Sequence, residues 1–378
     1  MSINRRKFIK YVGLAGTGLS LAACTQSITT GSSVLSSPSA QSSAADNPLK
    51  AGFIYVGPVK DGGWSYAHDL GRQKVESSLR GQVMTSFAES VSEGADVERV
   101  LRQFASTGHR MIVAASFGYM ESVIKIAKEF PEVAFFHQGG YKQASNVATY
   151  KARFEEPAYL TGMIAGQMTQ SNIIGYVGGY PVPAILREMG AFALGVRAVN
   201  PQAVIKVVWA QVWYDPAKER EAAVALAGLG ADVLTQNTNS TAIVQFAEEK
   251  GIYAFGHYAD MSEFGPKAHL TAPIVDWGSF YTDKAKQILS GNWQTGNYWL
   301  GIQDGITNLA PMNDQVPDAV KDAVNVKREE FATGKARAYD GTVKDQSGRE
   351  RVPAGQTLSD EEQLKMDWFV EGIEGSLS

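Results

Sequence analysis

Ala51-Gly52-Phe53-Ile54-Tyr55-Val56 opens one series of short apolar runs, and Ile173-Ile174-Gly175-Tyr176-Val177 opens a second. Each run is continuously apolar and too short for a helix, which is how a strand buried on both faces reads. Further runs follow at 82–87, 110–115, 133–137 and 147–150, then at 204–209, 231–235 and 252–256. Between them the periodicity changes to that of a helix. Val97, Val100, Leu101 and Phe104 fall at i, i+3, i+4 and i+7, as do Met120, Val123, Ile124 and Ala127. In the second series Ile185, Met189, Phe192 and Val196 make the corresponding stripe, and Asp215-Pro216 supplies a helix cap followed by proline at the first helical position. The pattern predicts an α/β protein with two doubly wound parallel-sheet lobes.

Composition agrees with that size. The chain has 378 residues, 44% hydrophobic and 20% charged, enough for two cores and too apolar for disorder. One cysteine excludes a disulfide framework, and no apolar run is long enough to cross a membrane. A net charge of −4 gives no basic footprint for nucleic acid.

Asn4-Arg5-Arg6-Lys7-Phe8-Ile9-Lys10, a modestly apolar stretch and Leu21-Ala22-Ala23-Cys24 read as a twin-arginine export signal (1–23) ending in a lipobox. On that reading Cys24 becomes the lipidated first residue; the alternatives are an ordinary cleaved signal beside an incidental cysteine, or a basic disordered tail. Cleavage removes four cations and no acid, leaving 31 Lys+Arg against 39 Asp+Glu, a net −8. Residues 24–47, rich in Ser, Thr, Ala and Gly, read as a flexible lipidated tether.

Ligands of such sheets bind outside the carboxyl ends of the strands. Here those ends fall at 57–66, 116–119, 138–141, 178–183, 211–215, 236–240, 257–261 and 276–277, segments rich in aromatics and neutral polar groups and poor in cations. A planar, largely uncharged ligand is implied, rather than a phosphate. No His-Glu-x-x-His, Gly-x-Ser-x-Gly elbow or Walker loop is present, and Gly175-Tyr176-Val177-Gly178-Gly179 lacks dinucleotide-binding spacing. The 5 histidines are scattered. Nothing here argues for an enzyme, a metal or a cofactor.

Asp61-Gly62-Gly63-Trp64-Ser65-Tyr66-Ala67-His68-Asp69-Leu70-Gly71 resembles the first ligand loop of the basic membrane protein family. Phe154-Glu155-Glu156-Pro157-Ala158-Tyr159-Leu160-Thr161-Gly162, Ile174 to Gly179, Asp215-Pro216-Ala217-Lys218 and Gly230-Ala231-Asp232-Val233 match it in order. The resemblance covers roughly residues 50–372. It implies a type I periplasmic-binding-protein fold with a three-strand hinge and a monomeric lipoprotein that delivers purines or purine nucleosides to an ABC permease. Lobe 1 is then expected at 48–153 plus 276–294, lobe 2 at 154–275 plus 295–372, with a tail at 373–378.

It also implies site residues. Trp64 and Trp213 stand where aromatics stack on the base, the alternative being lobe-interface core; Phe117 divides between core and ligand contact. Ser65 replaces the family's asparagine, and Asp260 matches a family carboxylate. Asn237, Asn239 and Ser240 fall where the family has a Gly-rich loop and are candidates to read base edges, the alternative being a helix cap, expected in any case of Asn239 or Ser240. Nucleoside binders carry a lysine after the last crossover strand, but this chain reads Leu270-Thr271-Ala272-Pro273-Ile274-Val275-Asp276-Trp277. An unpaired buried ribose hydroxyl costs about 1–3 kcal/mol, which shifts the expectation toward a free base such as adenine. Asp276 remains a candidate for ribose or a base amine. Alternatives are a nucleoside receptor, or a sensor or surface antigen without transport.

Overall fold

The computed structural model describes residues 47–377. The expected signal, Cys24 and the tether up to residue 46 lie outside the described residues.

The first half of the chain builds β1 (Leu49–Tyr55), α1 (Trp64–Ser78), β2 (Val83–Ala88), α2 (Ala95–Ser106), β3 (His109–Ala115), α3 (Met120–Ala127), β4 (Ala134–Gln138) and β5 (Val147–Ala152). The series then restarts with α4 (Glu155–Met168), β6 (Ile173–Gly178), α5 (Pro183–Val199), β7 (Val204–Trp209), α6 (Pro216–Gly228), β8 (Val233–Gln236), α7 (Ala242–Lys250) and β9 (Tyr253–Ala254). After them come β10 (Pro273–Val275), α8 (Trp277–Leu289), β11 (Asn297–Leu300), β12 (Thr307–Leu309) and α9 (Asp318–Ala332). The chain ends with β13 (Val343–Lys344), β14 (Glu350–Val352), α10 (Asp360–Gln363) and β15 (Ile373–Glu374).

The two large sheets have the strand orders β11-β5-β4-β3-β1-β2 and β15-β7-β6-β8-β9. Every pairing within them is parallel. Both faces of their central strands are covered, which is why β1, β3 and β6 read as nearly unbroken apolar runs, while the edge strand β2 is half exposed. In the first sheet Phe53 and Tyr55 pack toward α1 and α8, while Ile54 and Ile112 pack toward α2 and α3. In the second, Tyr176 and Ile205 pack with α4, α5 and α9, and Val177 and Leu234 with α6 and α7. The expected stripes of α2 and α5 are the buried faces of those helices. Asp215 caps α6 by accepting from the N–H groups of Ala217 and Lys218, ahead of Pro216.

The chain passes between the sheets at three places: after β5, between β10 and α8, and between β11 and β12. β10 and β12 lie antiparallel as a two-stranded hinge ribbon. Two expected boundaries need correction. β11 pairs with β5, so the second piece of the first lobe extends to Leu300 instead of ending at 294. Its four residues are too short and too polar at the start to declare a strand. β15 pairs with β7, so residues 373 and 374 belong to the second sheet and not to a tail.

α4 and α5 pack with almost no side-chain layer between them. A Cβ on Gly162 would sit 2.1 Å from the Phe192 carbonyl oxygen, and one on Gly195 would sit 2.0 Å from that of Tyr159. Backbone cannot yield there as a flexible side chain would. Gly195→Ala should destabilise the protein by about 1–3 kcal/mol, as overpacking of a close-packed core does. Urea unfolding measures this, and a variant as stable as wild type would show that α4 and α5 can separate freely.

Candidate functional site

The carboxyl ends of the two sheets face each other, and the loops that leave them are held by buried acids. After β1, the Asp61 carboxylate accepts from the N–H groups of Gly63 (2.8 Å), Ser65 (2.9 Å) and Tyr66 (3.0 Å). Those are donors that the first turn of α1 cannot satisfy internally. Burial raises the Asp61 pKa despite these bonds. Gly62, at φ +79°, makes the bend. Gly63 runs so close to the second lobe that a Cβ would lie 2.6 Å from the Asn239 carbonyl oxygen.

This turn aims the next two side chains inward. Ser65 is buried, its Oγ accepting from the Gly57 N–H at 3.2 Å. Trp64 donates its indole N–H to the Ala115 carbonyl at 2.8 Å. Its ring meets His68 and Tyr258 edge-on, at centroid distances of 4.7 and 4.9 Å.

On the second lobe, the fully buried Glu219 of α6 joins two loops. It accepts from the Asp215 N–H (3.0 Å) and from the Ser240 N–H (3.0 Å) and Oγ (2.6 Å). Burial pushes its carboxyl pKa up as well. Trp213 packs on Gly179, where a Cβ would stand 2.9 Å from the ring, and edge-on to Tyr180 at 4.8 Å. The Asn237 Oδ1 accepts from the Gly179 N–H at 3.0 Å, while its Nδ2 has no partner. The Asn239 N–H donates to the Trp213 carbonyl at 3.0 Å.

Between these walls lies a cleft of about 460 Å³, within the range of small-molecule sites. The first lobe contributes Val56, Gly57, Pro58 and Ser90; the second contributes Tyr180, Val212, Trp213, Tyr214 and Asn239. None of these side chains carries a charge.

Of the residues expected from sequence, Trp213 and Asn239 line the cleft, while Trp64, Ser65 and Asn237 brace the loops around it. Phe117, 53% exposed, sits in the short turn after β3 beside Gly139. Two carboxylates are engaged elsewhere. Asp260 is exposed and accepts from the Ser262 N–H at 2.9 Å. Asp276 caps α8 through the N–H groups of Gly278 and Ser279 and holds Lys74 Nζ at 2.6 Å. Sequence reasoning did not single out Ser90, Tyr180, Tyr214 or Tyr258. Ser90, Gln211 and Tyr258 each adopt a left-handed φ, of 53°, 56° and 66°, just beyond a strand end. Such strain gathers at ligand sites and leaves no mark in composition. Tyr258 is buried and reaches from the loop after β9 of the second lobe into the aromatic cluster of the first, meeting Phe154 at 5.2 Å.

Comparison with known proteins gives a family. The model of the ABC transporter substrate-binding protein PnrA-like family, named Bmp, matches residues 49–338. A purine-binding protein of Brucella abortus is 42% identical over 333 residues, 88% of this chain and 95% of that protein. A protein of Haloferax volcanii named for ABC transporter glucose binding is 35% identical over 330 residues, 87% of this chain and 81% of that one. A solved ABC transporter solute-binding protein from Aeropyrum pernix superposes with a TM-score of 0.67 at 17% identity, covering 79% of this chain and 93% of its own. At that identity the likeness carries the fold alone.

Asp276→Ala removes a cap and should cost about 0.5–2 kcal/mol of stability. Thermal unfolding tests it, and an unchanged midpoint would show that α8 starts equally well without the carboxylate.

Proposed function

This chain belongs to the Bmp family of PnrA-like ABC transporter substrate-binding proteins, and from that premise we propose that it carries a free purine base, adenine foremost, to a membrane permease. The observation that carries the reading is the uncharged cleft wall, in which Tyr180, Trp213 and Tyr214 stand beside the single amide of Asn239. A flat, neutral heterocycle gains about 1–3 kcal/mol per stacked aromatic face. Charged solutes would enter such a cleft without a counter-ion, which disfavours them. The purine-binding relative from Brucella abortus, the more similar of the two described, supports the same class.

Base is preferred to nucleoside for two reasons. The lysine of nucleoside binders is missing near Thr271, whose own hydroxyl donates to the Ala310 carbonyl at 2.7 Å. Asp276, the other candidate for ribose, is committed to α8 and Lys74. The glucose-named relative raises a sugar as the second reading. A sugar ring needs partners for many hydroxyls, and the cleft offers few polar side chains.

Closure follows from differential binding: ligand held by both walls favours the closed arrangement by as much as it prefers it. The chain is exported through its twin-arginine signal and held at the membrane by lipid on Cys24, which stations it beside its permease.

Titrating the mature protein with adenine, hypoxanthine, adenosine, guanosine and glucose, by calorimetry and tryptophan fluorescence, tests the ligand class. Adenine should bind most tightly, and Trp213→Ala should weaken it by about tenfold to a hundredfold, the loss of one stacking face. Silence with every purine would overturn the reading, and a response to glucose alone would replace it. Cys24→Ser should move the protein from the membrane fraction to the soluble fraction of the producing cell, and membrane retention would count against the lipid anchor.

A further inference from the structure

A second cavity, of about 520 Å³, lies away from the cleft where two of the three crossings pass each other. Arg153 and Glu156 border it from the first crossing, Trp299 and Asp304 from the third, Arg337 from the segment after α9 and Gln363 from α10. Arg153 is already satisfied, holding Asp360 through two parallel bonds of 3.0 and 2.6 Å. The other five retain unused bonding capacity.

On the accepting side, Gln363 is only 3% exposed, yet its amide oxygen has no partner, while its amide nitrogen donates to the Leu358 carbonyl at 2.9 Å. Glu156 spends one oxygen on the Ile302 N–H (2.7 Å), and Asp304 spends one on the Gly301 N–H (2.8 Å). Each carboxylate keeps a second oxygen without a hydrogen bond. The carboxyl end of α9 adds the negative end of a helix dipole to this side. On the donating side, the Trp299 indole N–H is buried without a partner. The Arg337 guanidinium is exposed and makes no ion pair or hydrogen bond; only its backbone is engaged, the N–H donating to the Asp340 carboxylate and the carbonyl accepting from the Asp340 N–H. Among the described residues no three acidic, histidine or cysteine side chains converge as a metal would require. An organic cation fits the acceptors better than a metal ion does, and the leftover donors call for an anion on the same molecule.

We propose that this hinge cavity is a second ligand site for a small zwitterion of the amino-acid class. Its ammonium group is held by Glu156, Asp304 and the Gln363 amide oxygen, and its carboxylate by Arg337 and the Trp299 N–H. Burial, reinforced by Glu155 and Asp304 and opposed by the Ile302 N–H and Arg153, lifts the Glu156 carboxyl to about 7, so that near neutral pH it is partly protonated and an arriving ammonium group drives off that share of a proton. The position gives binding a consequence. Glu156 ties the first crossing to the third, and it packs so tightly on Gly301 that a Cβ there would lie 2.4 Å from its Oε2.

The test is independent of the ligand in the cleft. The purine-free mature protein is screened by thermal shift against glycine, alanine, serine, glutamate, lysine and γ-aminobutyrate, and any hit is measured by calorimetry at pH 7 in phosphate and in Tris. At least one should bind and release protons, seen as heats that differ between the two buffers. Glu156→Gln, which keeps an acceptor for Ile302, should weaken that binding at least tenfold and abolish the proton release. Arg337→Ala, at an exposed position, should weaken binding at least tenfold and preserve the release. No shift with any member at 10-millimolar ligand (roughly 2.7 kcal/mol in RT ln terms at a hundredfold excess over Kd) would overturn the proposal and leave a cavity that holds water alone. So would affinity unchanged in both variants. Neither result touches the purine reading, which the cleft titration decides separately.

Discussion

Backbone N–H groups that emerge at the carboxyl edge of a sheet covered on both faces must find acceptors with little help from water, and much of this molecule is arranged around that demand. Buried carboxylates answer it. Asp61 gathers three N–H groups at the start of α1, Glu219 gathers those of Asp215 and Ser240, and Glu156 takes that of Ile302. Each is an acid whose pKa is raised by burial. The desolvation is offset by charge-assisted bonds to otherwise orphaned donors, and the loops so fixed hold the aromatics of the cleft.

Fixed loops allow close approach. Gly62 and Gly63 lie against Thr241 and Asn239 of the other lobe, and a Cβ at either position would lie 2.6 Å from the nearest atom. Tyr258 crosses the same boundary and lodges its ring among Trp64, Phe154 and His257. Its left-handed backbone is a strain that tertiary packing must hold, since no local preference favours it. Polar anchoring and aromatic contact thus serve one end: they define the spacing of the walls without placing a charged side chain on the lining of the cleft.

What could be read in the sequence follows from which interactions are local. Strand runs, the buried stripes of α2 and α5 and the Asp215-Pro216 helix start depend on neighbours a few residues away. Trp213 and Asn239 could be placed on the cleft because strand ends are where such sheets bind. Asp276 illustrates a signal that was present and outweighed: Asp-Trp-Gly-Ser reads as a helix cap, and capping Gly278 and Ser279 is what its carboxylate does. Asp260 likewise turns its own chain by bonding Ser262. β11 was not legible, because a strand of four residues is defined by β5 beside it and not by its own pattern. The same holds for β15 against β7, and for the backbone conformations of Ser90 and Tyr258.

The family match ends at residue 338, but the core of the second lobe does not. Tyr339, Leu358, Met366, Phe369 and Val370 are buried in the same cluster as Phe192 and Val196 of α5. The Tyr339 hydroxyl donates to the Arg187 carbonyl at 2.5 Å, and the Arg187 guanidinium lies 3.3 Å from Glu155, the first residue of α4. Asp360 meanwhile holds Arg153, the residue after β5. The C-terminal segment therefore grips the first crossing directly at Arg153 and reaches Glu155 through Arg187. A hinge moves about the few residues whose dihedrals are left unconstrained. With 153 and 155 both tied to the second lobe, motion at this crossing is pushed toward β5, and the C-terminal segment becomes part of what sets the angle between the lobes.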